Sequence, residues 1–171
     1  MCRVESRAEG AAAAMTHFCP ACWHTVEAGA ASCPHCRSNL AALDQRPFVV
    51  KLIAALRHPE PATRQRAAHL LGELRDTTAV PPLGKLLFAT SEPFLAAEIV
   101  TALGKIEDAE AETLVVRALQ HHASVVRLAA LRALVRRGEP TVTLALRQVA
   151  HDPSPSVRRL AREMEGGRRL C

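Results

Sequence analysis

The 171-residue chain has no tyrosine, one tryptophan and four phenylalanines. A core so short of aromatic volume must be filled by Leu, Val, Ile and Ala, which favours helices packed closely through small side chains. No apolar run approaches the roughly 20 residues that cross a bilayer, so no membrane span is expected. A P-loop, a dinucleotide fingerprint and a nucleophile motif are missing too, and the eight histidines include no His-Glu dipeptide. The chain is therefore expected to be non-enzymatic. The opening segment has Arg3, Arg7, Glu5 and Glu9 around a short Ala run and lacks the apolar stretch of a signal peptide. The cytoplasm is the expected compartment, where clustered cysteines are metal ligands or catalytic groups more often than disulfides. Residues 1–16 read as a disordered tail, with Met15 as an alternative start and with Cys2, like Cys171 at the other end, as an exposed free thiol.

The remaining four cysteines form two pairs, Cys19-Pro-Ala-Cys22 and Cys33-Pro-His-Cys36, ten residues apart. Alone, the second pair spells the active site of a thiol-disulfide oxidoreductase. That chemistry needs its pair at the start of a helix in a βαβ framework, which nothing before Cys33 supplies. Two pairs in tandem read instead as two tight turns whose thiolates converge on one tetrahedral ion. Between them a strand is expected around Trp23–Val26 and a turn at Ala28-Gly29, making a hairpin that brings the turns together. His17, His24 and His35 lie nearby, but four thiolates already complete a closed site.

The arrangement over residues 17–40 resembles a short zinc ribbon, of the kind found at the ends of many bacterial multidomain proteins. The resemblance implies one structural Zn2+ held by Cys19, Cys22, Cys33 and Cys36, with iron in the rubredoxin manner as the alternative. The spacer is shorter than in classical ribbons, and Arg37 stands where many such turns carry Gly. A tighter or strained second turn is the expectation.

From Phe48 the pattern becomes helical and repeats with offsets of 32, 31 and 31 residues, which indicates a solenoid. Pro61, Pro93 and Pro155 align, with Ser124 in the remaining copy, at what should be a first helical turn. Arg64, Arg127 and Arg158 follow three residues on, with Ala96 as the exception. Ala67, Ile99, Ala130 and Ala161 make a small or apolar column, and Leu71, Leu103 and Leu134 a large one, spaced for one buried face. Each of these helices follows another, expected at about 47–57, 79–89, 109–120 and 140–150. Arg162 and Glu165 replace apolar residues in the last copy, as a solenoid cap requires. Gly72 and Gly104, one repeat apart, read as close packing or helix termination.

These repeats resemble HEAT repeats, in particular the short kind of phycobilisome-lyase-like proteins. The turn from Asp152 to Arg158 matches that pattern best, with His58 and His121 in place of Asp in other copies. The implied fold is all-α, an α-α superhelix of about four helical hairpins behind a small zinc ribbon. The expected organisation is a tail over 1–16, the ribbon at 17–40, a linker at 41–46, the solenoid at 47–166 and a tail at 167–171.

Charge is uneven: residues 121–171 hold ten Arg against four acids, a field that attracts an acidic partner. The leading reading is an interaction scaffold for a protein partner, with Arg127, Arg132, Arg158, Arg159 and Arg162 as candidate contacts. Against it stands the use of the aligned arginines as ties between repeats. The first alternative is nucleic-acid binding, with Arg136, Arg137, Arg168 and Arg169 added as phosphate contacts, though aromatics for base stacking are scarce. The second is a lyase-like chaperone or enzyme accessory.

Overall fold

The computed structural model describes residues 17–138 and 141–168. The expectations for the 1–16 tail, Cys2, Met15, Arg169 and Cys171 lie outside the described residues. The chain forms two compact units that divide between Gln45 and Arg46.

In the first unit β1 (His17–Phe18) pairs antiparallel with β2 (Thr25–Val26), His17 opposite Val26 and Phe18 opposite Thr25. The strand expected at Trp23–Val26 thus starts two residues later, because Trp23 and His24 belong to the turn that closes this hairpin. A single bridge between Ser32 and Asn39 frames the second pair of cysteines in the same way. The stretch expected as a linker is mostly helix: α1 (Leu40–Asp44) starts at Asn39, whose side-chain oxygen accepts from the Ala42 N–H at 2.9 Å. Leu40 and Leu43 pack against the buried Cys19, Val26 and Cys33. Among the described residues that is too little apolar surface to hold the cysteine module by itself.

The second unit is all helix, four hairpins among the described residues: α2 (Phe48–Ala55) with α3 (Pro61–Leu74), α4 (Val80–Ala89) with α5 (Pro93–Lys105), α6 (Ala109–Ala118) with α7 (Ser124–Val135), and α8 (Thr141–Val149) with α9 (Pro155–Arg168). The second helix of each hairpin opens where the sequence places it, at Pro61, Pro93, Ser124 and Pro155. Proline is free to stand there because its missing N–H has no intrahelical acceptor to leave empty. The last helix runs through Gly167 and Arg168, past the expected boundary.

The corner before each second helix is closed by one side chain accepting the N–H two residues on. His58 Nδ1 takes it from Glu60 at 3.0 Å, Thr90 Oγ1 from Glu92 at 3.2 Å, His121 Nδ1 from Ala123 at 3.1 Å and Asp152 Oδ1 from Ser154 at 2.8 Å. Three kinds of residue thus do one task at four corners, the local side-chain turn that Asp and Thr are known for, and His joins them through its neutral ring nitrogen.

Second helices α3, α5, α7 and α9 lie side by side. Leu71, Leu103 and Leu134 are fully buried between the layers, as are Ala96, Ile99 and Ala130. The two aligned glycines mark the closest approaches. A Cβ on Gly72 would lie 2.6 Å from the Ala102 Cα, and one on Gly104 2.5 Å from the Ala133 Cβ. Close packing is therefore their role. No described helix is long and apolar enough to cross a membrane.

Candidate metal centre and partner-facing surface

Both cysteine turns are built alike. The Cys19 N–H donates to the His24 carbonyl at 2.9 Å and the Cys19 carbonyl accepts from Trp23 at 2.8 Å; Cys33 repeats this with Ser38 at 3.0 Å and Arg37 at 2.9 Å. The residue after the second cysteine is left-handed in each, Trp23 at φ 63° and Arg37 at φ 60°. The position expected to strain the second turn is thus matched by one in the first, where Trp gave no sequence signal. The Ala21 N–H also points at the Cys19 sulfur, 3.5 Å away.

The ligand sulfurs of Cys19, Cys22, Cys33 and Cys36 all lie within 4.8 Å of one another. Cys19 and Cys36 are 3.6 Å apart, and Cys22 and Cys33 3.7 Å. A tetrahedron of thiolates at the usual Zn–S distance has edges of about 3.8 Å, so the residues fit a cation of that size. Ionisation points the same way. The Ser38 hydroxyl, 3.2 Å from its sulfur, and the Ser38 N–H draw Cys36 down to about 6. At Cys22 the His24 N–H pulls the thiol down, but burial and the other three sulfurs push it up to about 12. Four thiols this close cannot all ionise unaided, and a bound cation removes that conflict by displacing their protons.

Among the described residues no histidine belongs to this group. His24 and His35 instead stack on each other, ring centroids 3.5 Å apart and planes 13° from parallel. His121 and His122 also stack, at 4.2 Å. Burial, then the charges of His122 and Arg127, hold the His121 ring below the usual histidine range, which suits its acceptor role at the corner.

The candidate partner arginines divide. Arg127 is buried, its Nε and Nη2 each 2.7 Å from the Asp152 carboxylate and its Nη1 2.8 Å from the carbonyls of both His121 and His122. Those donors are engaged inside the protein. Arg64 likewise pairs with Glu92 in the next hairpin. Arg137 reaches the Leu103 carbonyl at 3.3 Å and that of Ile106. Arg132, Arg159 and Arg162 are exposed, and Arg158 is half-buried. Phe94, the second residue of α5, is 70% exposed and belongs to none of the repeat columns read from the sequence. It stands one turn before Glu98, which lines a groove of about 570 Å3 with Ala62, Gln65, Arg66, His69 and Leu70 of α3.

The family model for HEAT repeats matches residues 49–112 and 90–164. The chain belongs to the HEAT-repeat family. Its four HEAT hairpins fill the second unit, with the cysteine cluster ahead of them. No curated protein matches the sequence.

Proposed function

We propose that this HEAT-repeat protein is a non-enzymatic scaffold that holds a protein partner along its second helices, and that Cys19, Cys22, Cys33 and Cys36 bind one structural Zn2+. The observation that carries the partner reading is Phe94, a large ring 70% exposed on the same face of α5 as the groove residue Glu98. Aromatic side chains, phenylalanine included, are enriched in protein interfaces, and stacked HEAT hairpins offer an extended surface to carry them. Arg127 and Arg137 direct guanidinium groups into the protein's own carboxylate and carbonyls, which supports a protein partner over nucleic acid. A lyase-like accessory role rests on fold analogy alone and is not proposed.

Bound at the sulfur tetrahedron, zinc would supply folding free energy to a unit whose core, among the described residues, is a few side chains. Metal analysis should find about one zinc per chain, lost in Cys33→Ser; a stoichiometry near zero with the thiols intact would refute the site. For the partner, the full chain is used as bait in an extract of its source cells beside a Phe94→Asp variant. A protein retained by the first and lost by the second is the expected result. Recovery of nucleic acid alone would sink the scaffold reading.

A further inference from the structure

The buried pair of Arg127 and Asp152 shows what an arginine at this repeat position is built to hold. Arg127 is anchored on its own corner by Nη1, through the carbonyls six and five residues upstream, and offers the other edge of the guanidinium to an acid of the following hairpin. Arg158 occupies the same position one repeat later and is anchored in the same way: its Nη1 lies 2.6 Å from the Asp152 carbonyl and 3.1 Å from that of Pro153. Since the guanidinium is planar and rigid, that anchor presents the Nε and Nη2 edge outward as in Arg127. Among the described residues no carboxylate meets it.

We propose that this edge of Arg158 is a docking point for an aspartate or glutamate of an acidic segment in a partner protein. The inference rests on the scaffold reading and names the chemistry of the partner. Two observations favour a foreign acid over another hairpin of this kind. Positions that are buried leucines in α7, Leu131 and Leu134, become Arg162 and Glu165 in α9, both exposed, so a hairpin stacked there would bury charges. The exposed neighbours Arg159 and Arg162 extend the positive field around the open edge. Arg159 has only a loose contact with Glu163 at 3.8 Å, and Arg162 turns its Nε toward the Arg158 carbonyl at 3.4 Å. A carboxylate entering here would meet two parallel N–H donors, the arrangement that distinguishes arginine from a simple positive charge.

The test is titration of the full chain with a fluorescein-labelled peptide of eight aspartates, beside the corresponding eight-asparagine peptide and a single-stranded oligonucleotide of equal charge. Salt-sensitive binding of the aspartate peptide is expected, with affinity reduced at least about fivefold by Arg158→Lys, which keeps the charge and removes the fork. Arg147→Gln, a charge change on α8, should leave it unchanged. Helical circular dichroism confirms that the variants fold, and the double variant Arg159→Gln, Arg162→Gln, which leaves the corner anchor intact, should weaken binding too. Equal affinities for wild type and Arg158→Lys would overturn the proposal in favour of a diffuse field. Tighter, Arg158-dependent binding of the oligonucleotide would overturn it in favour of phosphate. An Arg158-dependent self-association in sedimentation, abolished by Glu60→Gln, would assign the edge to a second copy. A partner captured equally by wild type and Arg158→Lys leaves the scaffold intact while removing this contact; absence of any protein partner removes the scaffold.

Discussion

Arg127 and Asp152 form a buried, two-pronged ion pair that ties the third hairpin to the fourth, Nε to Oδ2 and Nη2 to Oδ1 both at 2.7 Å. Removing one partner leaves a buried charge without compensation, which costs about 3–5 kcal/mol. Asp152→Ala should therefore lower the urea midpoint strongly. Arg127→Met combined with Asp152→Ala should cost less than the sum of the single changes, because no orphaned charge remains. Additive losses in that cycle would mean that the two groups are not coupled.

The same pair gives a pH dependence. The Arg127 guanidinium, helped by the Ser154 N–H and opposed by burial, holds the Asp152 carboxyl below its ordinary range. The folded value lies under the unfolded one, so unfolding takes up a proton in acid. The stabilisation is complete above about pH 5, declines as pH passes the unfolded value of about 4 and is lost as pH falls through the folded value. Between about pH 5 and pH 3, wild type should lose stability more steeply than Asp152→Asn in urea melts.

Glycine at the helix contacts can be tested against glycine outside them. Gly72→Ala sets a Cβ 2.6 Å from the Ala102 backbone, and Gly104→Ala one 2.5 Å from the Ala133 Cβ. Each should destabilise by about 1–3 kcal/mol through forced separation of the helices. Gly166 in α9 has nothing within 4 Å of its added Cβ, so Gly166→Ala should raise stability by up to about 1 kcal/mol through helix propensity alone. Thermal melts of the three variants decide it.

If the cysteine unit holds zinc as proposed, relief of the left-handed backbone at Arg37, φ 60°, should be measurable there. An L side chain there costs about 1–2 kcal/mol, part of which glycine returns as chain entropy. Arg37→Gly is expected to slow zinc transfer to a chelator by a few-fold. Faster release than wild type would show that the arginine side chain stabilises the turn.

Period and polarity made the hairpins readable in advance. Proline or serine recurs where each second helix begins, and the apolar columns 67, 99, 130, 161 and 71, 103, 134 keep one face buried. The cysteine spacing likewise announced a four-sulfur cluster. The aligned arginines were readable as ties between repeats, but the acids they hold were not, because those come from different columns. Glu92 precedes its helix-opening proline directly, whereas Asp152 is the corner cap three residues before Pro155. Only folding brings Arg64 and Arg127 to such differently placed carboxylates, at separations of 28 and 25 residues. Trp23 was hidden for another reason: its left-handed backbone is imposed by the hydrogen-bonded turn and not by any preference of the residue.

The two layers of the solenoid are joined by different means. Second helices meet through Gly72 on Ala102 and Gly104 on Ala133, with almost no side chain between them, while first helices α4 and α6 meet through Leu114 lying over Gly84. Each of these seams between successive hairpins thus rests on a position where one hydrogen stands in for a side chain, and a methyl group there forces a neighbour to shift. The seating of hairpin on hairpin is gauged by the smallest side chains in the sequence.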